Sequence, residues 1–203
     1  MRLHHRLVGA LGAILMVFVL AAPVAADTTG GGNGTDANAV QERGCTNNGD
    51  GTTTCSATQL DAFKGRLSGD LVCYDDFTFT FENDTGDPVS SHDSFGCTEN
   101  SGNVSVNKLT SVVLASTDIA LTTQDCGANG DCTESAGTIS IAATWTGIGP
   151  TFKSSSTSHF RDPSCVEVDK SKSTARNATF DGPFDATSAS ISVGTSSFRI
   201  RCK

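Results

Sequence analysis

The 203-residue chain has one tryptophan and one tyrosine. Carbohydrate-binding modules present several amphipathic rings as a stacking platform, so Trp145 and Tyr74 alone argue against that class. No Cys-x-x-Cys pair occurs, and beyond residue 26 only His92 and His159 remain as imidazoles. That donor set is too poor for structural zinc, and no metal or other cofactor is expected. A Gly-x-Ser-x-Gly nucleophile elbow is also missing. Positive charge is scarce, with 14 Lys and Arg against 22 Asp and Glu. An acidic chain repels phosphate backbones and anionic headgroups, which argues against nucleic acid and anionic membrane surfaces as partners.

Only one long apolar run exists, LVGALGAILMVFVLAA over residues 7–22. Arg2 and Arg6 precede it, and Val24-Ala25-Ala26 follows with small residues at the −3 and −1 positions of a signal-peptidase site. The run is short for a membrane span, so residues 1–26 read as a signal peptide with Asp27 at the mature N-terminus. Its loss leaves the chain two charges more negative than −8. There is no twin-arginine pair, no cysteine near the cleavage point to carry a lipid, and no second apolar segment. The expectation is a secreted, extracellular protein without a membrane span after cleavage.

Residues 27–44 are rich in Gly, Asn and Asp and have almost nothing apolar, so they read as a flexible leader. Gly31-Gly32-Asn33-Gly34-Thr35-Asp36 matches one copy of a calcium nonapeptide, a motif that works only in tandem. Asn38 also stands where that motif needs a large apolar residue.

From Cys45 to the C-terminus the grammar is that of strands in one all-β domain, 45–203. Phe77 to Phe81 alternates Phe with Thr, and Ile139, Ile141, Ala143 and Trp145 recur at every second place. ATSASISVG, SFRIRC and NVSVNKLTSVVLAS continue the pattern. ATQLDAFKG, over residues 57–65, fits either two helical turns or a strand. Ten of the 11 phenylalanines lie past the export segment, which suits a core or the lining of an apolar cavity.

Eight cysteines behind an export signal read as four disulfides. In CTNNGDGTTTC, a three-residue loop Gly49-Asp50-Gly51 puts Gly51 at the left-handed position and Cys45 opposite Cys55. The same construction on CGANGDC places Gly130 at the left-handed position and Cys126 opposite Cys132. Directly opposed strand residues come within disulfide reach. Cys73 and Cys97 are symmetric about Thr85, but an even number of steps out, on the other kind of ladder site. Pro88 would interrupt one arm, and a β-bulge would repair both faults. Cys165 with Cys202 follows by elimination. As a calcium loop the first stretch fails, because Thr46 and Ala57 stand where an aspartate and the bidentate glutamate belong.

Chemistry-bearing groups are few. Asp93 beside His92 cannot orient that ring, since neighbours on an extended chain point to opposite sides, and His159 reads as a strand residue. Asp75 and Asp76 diverge for the same reason. Glu82, Asp84 and Asp87 form an acidic hairpin tip. Asn33, Asn83, Asn103 and Asn177 begin glycosylation sequons. No catalytic residue and no metal ligand is assigned.

The fold expected is an antiparallel meander closing into a barrel, with a two-sheet sandwich as the alternative. The function expected is that of a secreted, non-enzymatic binding or structural module whose partner is an unidentified macromolecule or the cell envelope. The alternatives are a barrel-type carrier of a small apolar ligand and an extracellular hydrolase using acidic residues or His92.

Overall fold

A computed structural model describes residues 29–66, 69–161 and 165–202. The signal peptide expected over 1–26 lies outside the described residues. Nine strands follow one another: β1 (Thr29–Asn47), β2 (Thr52–Gly65), β3 (Asp70–Glu82), β4 (Pro88–Glu99), β5 (Val104–Asn107), β6 (Ser111–Gly127), β7 (Cys132–Arg161), β8 (Cys165–Asp181) and β9 (Ser188–Cys202). No helix occurs among the described residues, and all pairings are antiparallel. The stretch 57–65 is strand, with Thr58, Leu60 and Ala62 buried at every second place.

Sequential neighbours pair through hairpins, and two further pairings join distant parts of the chain. β1 pairs with β9, from Thr29 opposite Arg199 to Val40 opposite Ser188. β4 pairs with β6, from Ser90 opposite Gly127 to Phe95 opposite Thr122. Each of β1–β4 and β6–β9 therefore has a partner on both sides over part of its length. The short β5 sits on the edge of β6 beside the segment that β4 occupies.

Because side chains alternate, the register defines two faces that run through all the strands. One face is the core: Ala37 and Ala39, Leu60 and Ala62, Val72, Val112, Leu114 and Ile119, Ile141 and Trp145, and Ile191 are almost wholly buried. Trp145 packs on Phe180 at 5.2 Å between ring centroids, and Phe180 on Phe184 at 5.0 Å. Three disulfides, Cys45–Cys55, Cys73–Cys97 and Cys126–Cys132, belong to the opposite face.

Two expectations need correction, and a third reading, the bulge between Cys73 and Cys97, is found in the register. Residues 29–44 are not a leader but most of β1. Ala37 lies between Ala62 on β2 and Ile191 on β9, so burial comes from what flanks the strand, not from its own apolarity. The phenylalanines of β3 are not core. Phe77, Phe79 and Phe81 lie half-buried on the opposite face, as a stack with centroids 6.4 and 5.9 Å apart. The bulge inferred for the β3–β4 hairpin is present and brings Cys73 and Cys97 onto the same kind of ladder site as the other two pairs. Thr80 faces Ser90 and Phe81 faces Pro88, so Val89 is an extra residue in a bulge, and parity changes there. Their Cα atoms lie 4.1 Å apart, against 4.0 and 4.1 Å in the other two bridges. The last pair, Cys165 and Cys202, face each other in the β8–β9 register, and Cys165 is disulfide-bonded.

Candidate functional site

The candidate site lies on the face opposite the core, where β1, β2 and β3 run side by side. Asp36 on β1 stands diagonally from Asp61 on β2, Asp61 diagonally from Asp75 on β3, and Asp75 diagonally from Asp93 on β4. Diagonal neighbours on an antiparallel sheet lie roughly 7–8 Å apart at their Cα atoms, close enough for carboxyls to interact. The four form a stripe crossing the strands obliquely. Asn38 and Gln59 each donate a 2.6 Å hydrogen bond to Asp61.

Partial burial sets the protonation of this stripe. Burial pushes Asp36 up to about 6, with the Asp61 charge adding to it. Asp75 also rises to about 6, through burial first, then the Asp93 charge and a hydrogen bond to it, then Asp76 and Asp61. Burial raises Asp61 as well, against its two amide donors. Asp75 Oδ1 is buried without a hydrogen-bond partner among the described residues. The arrangement holds and releases protons in the mildly acidic range.

Asp36 also lines an open concavity of about 750 Å³. Gly32, Gly34, Ser192 and Gly194 give it a nearly bare backbone floor and Phe63 forms a wall. A Cβ at Gly34 would run into the Phe63 ring, so a larger residue there would displace that wall. A Gly/Ser surface of this kind lets another chain approach the main chain closely.

The residues singled out in the sequence do not converge. Asp75 and Asp76 diverge: Asp76 points to the core face, accepts a 2.7 Å bond from Thr58 and lies 3.9 Å from Arg43. His92 is paired not with its neighbour Asp93 but with Asp125 on β6, at 2.7 Å, and both are well exposed. No local signal revealed Asp125 as partner, because β5 intervenes between β4 and β6. His159 lies on β7 opposite Val168. In the tip at Glu82, Asp84 and Asp87, Thr85 donates to Glu82 and the Glu82 amide to the Asp87 carbonyl, so the polar groups close the turn. Asn103 donates its amide to Ser116 O and Thr117 Oγ1. Among the described residues no group of three or more His, Cys, Asp or Glu is arranged to hold a metal, and no helix is long and apolar enough to cross a membrane.

Sequence reasoning missed Asp36 and Asp61. Their signal lies in the strand register, which exists only once β1 is recognised as a strand. Compared with family models, curated proteins and solved structures, the chain matches none.

Proposed function

We propose that this protein is an extracellular, non-enzymatic binding module on an eight-stranded antiparallel barrel formed by β1–β4 and β6–β9, acting on a macromolecule or the cell envelope. The cycle of pairings from β1 through β4, β6 and β9 back to β1 supports closure. Three disulfides fit an oxidising compartment. The polar face opposite the core runs against a transmembrane barrel, whose outer band is apolar.

The observation that carries the binding reading is the filled interior. Trp145, Leu60, Leu114, Ile119, Ile141 and Ile191 meet there with 0–1% exposure. Phe77, Phe79 and Phe81, which motivated a carrier of apolar ligands, face away from it. Recognition then falls to the surface, where the concavity beside Asp36 and the sheet around it are available. The test is binding of the labelled, oxidised protein to intact cells of its host. Saturable binding that disappears on reduction is expected; turnover in a broad hydrolase screen would sink the non-enzymatic reading.

One observation favours the hydrolase as second reading. Asp75 and Asp93 are diagonal neighbours across β3 and β4, and a carboxyl near pKa 6 beside another carboxyl is a usable acid–base pair. Turnover that Asp75→Asn abolishes, with folding intact, would make this the primary reading.

A further inference from the structure

An acidic chain can still concentrate its few cations. Twelve Lys and Arg follow residue 26, and seven of them lie in the distal parts of β7, β8 and β9. There β7 from Thr151 to Arg161 pairs only with β8, and β1 from Thr29 to Asn33 only with β9. A four-stranded sheet thus runs on past the region where every strand is paired on both sides.

The register puts those seven cations on one face. Arg161 and Arg201 flank Val166, and Arg199 flanks Val168 across from His159. Lys170 lies between Thr157 and Ser197, Lys172 between Ser155 and Thr195, and Lys153 faces Thr174. Arg176, opposite Ile191, joins this face to the core. The face is continuous with the buried side of the sheet, and no Asp or Glu falls on this distal part of it among the described residues. Glu167 and Asp169, the nearest acids on β8, alternate to the other side. All but Arg176 are exposed, and no ion pair engages any of the seven among the described residues.

Alternate residues along a strand lie roughly 6.8 Å apart, so Lys153 to Arg161 spans about 27 Å, three strands wide. A strip of that shape suits a linear polyanion rather than a small anion. Arginine forks match phosphate geometry. The strip has no Phe, Tyr or Trp on which nucleic-acid bases would stack. Nor does it carry a large apolar group for insertion into lipid, since Phe152 and Phe160 alternate to the other face.

We infer that this face docks a linear phosphodiester polymer without aromatic bases, of the poly(glycerol phosphate) kind. The inference deepens the envelope-binding reading and rests on it. Neutralising about five phosphates, such a complex loses affinity with a log–log salt slope near −3.5, using about −0.7 per phosphate as for flexible single strands.

The experiment is titration of the oxidised protein with synthetic poly(glycerol phosphate), followed by anisotropy from 50 to 200 mM salt (the salt range over which such slopes are typically read). Saturable binding with a slope of about −3 to −4 is expected. Lys170→Glu with Lys172→Glu should lower affinity at least about tenfold and make the slope shallower by about 1.4. Arg199→Gln with Arg201→Gln provides a second variant should the first fold poorly. Glu167→Gln with Asp169→Asn, on the other face, should leave affinity no weaker. No saturable binding, a flat slope, an unaffected double variant, or tighter binding to a sulfated glycan or single-stranded DNA overturns the inference. If the protein binds host cells but not the polymer, the inference falls and the binding-module reading stands.

Discussion

Asp36 shows how one side chain registers its surroundings. Its carboxyl and that of Asp75 titrate near 6 in the folded protein, against roughly 3.9 in an unfolded chain. A raised folded value means the stabilising contribution is complete below about pH 4 and lost as pH rises through 6. Asp70 acts in the opposite sense. Burial works to raise it, but amides of Gly102 and Val104, the Lys64 charge and Ser101 outweigh burial and hold it low. Asp50 is also lowered, chiefly by hydrogen bonds from Thr52. Those two lose their contribution as pH falls below about 4. Thermal melts across pH should therefore peak between about 4 and 6, below neutrality. Asp36→Asn should raise stability at pH 7 by about 1 kcal/mol and flatten that profile on its alkaline side. A maximum at neutral pH, unchanged in the variant, would contradict this. Trp145→Ala belongs to the same scale: the indole is wholly buried against Phe180, so denaturant midpoints should report a loss of about 3–5 kcal/mol. Trp145 was legible as an inward residue from alternation alone. Asp36 was not, because its partners come from strands distant in sequence.

Hairpins carry the most readable information in this chain. Gly51 and Gly130 have φ of 89° and 77°, and the turn symmetry around each fits the observed opposition of cysteines. The β3–β4 hairpin shows what such counting adds: the parity of its cysteines and Pro88 in one arm call for a bulge, and Val89, a residue of no turn-forming type, is where it falls. In the loop-entropy picture, bridges of unequal reach differ in worth. Cys73–Cys97 closes a separation of 24 residues and Cys126–Cys132 one of 6, so removing the first pair should cost about 1 kcal/mol more than removing the second. Paired Cys→Ala variants, compared by urea denaturation, measure that difference. Gly96 tests a close approach within the sheet. A Cβ there would press on the Ala120 carbonyl of β6, a backbone atom that cannot swing away. Gly96→Ala should destabilise by about 2 kcal/mol, and a silent substitution would mean the two strands lie further apart.

At the scale of the whole molecule, composition misleads in two ways. Mean charge conceals the gathering of most cations on the distal part of one sheet face. Low apolar content conceals β1, whose Ala37 is buried between Ala62 and Ile191 and whose Ala39 lies between Leu60 and Ala189. Both features depend on which strands become neighbours, and the β1–β9 and β4–β6 pairings leave no mark in local periodicity. The strand class, by contrast, was plain from alternation at Phe77–Phe81 and Ile139–Trp145, since that pattern is set within one segment. The β1–β9 seam also governs time. Thr29 lies opposite Arg199, so a ladder running from there to Val40 opposite Ser188 joins the sheet's first strand to its last. A ladder between such remote segments has no local precursor to build on, and its loop-closure entropy is met before any contact repays it. Refolding should therefore run on the millisecond-to-second scale typical of non-local β topologies. Amides of Gly34–Val40 should gain hydrogen-exchange protection after those of the Cys45–Cys55 and Cys126–Cys132 hairpins, and until then both β1 and β9 expose bare edges to any neighbouring chain.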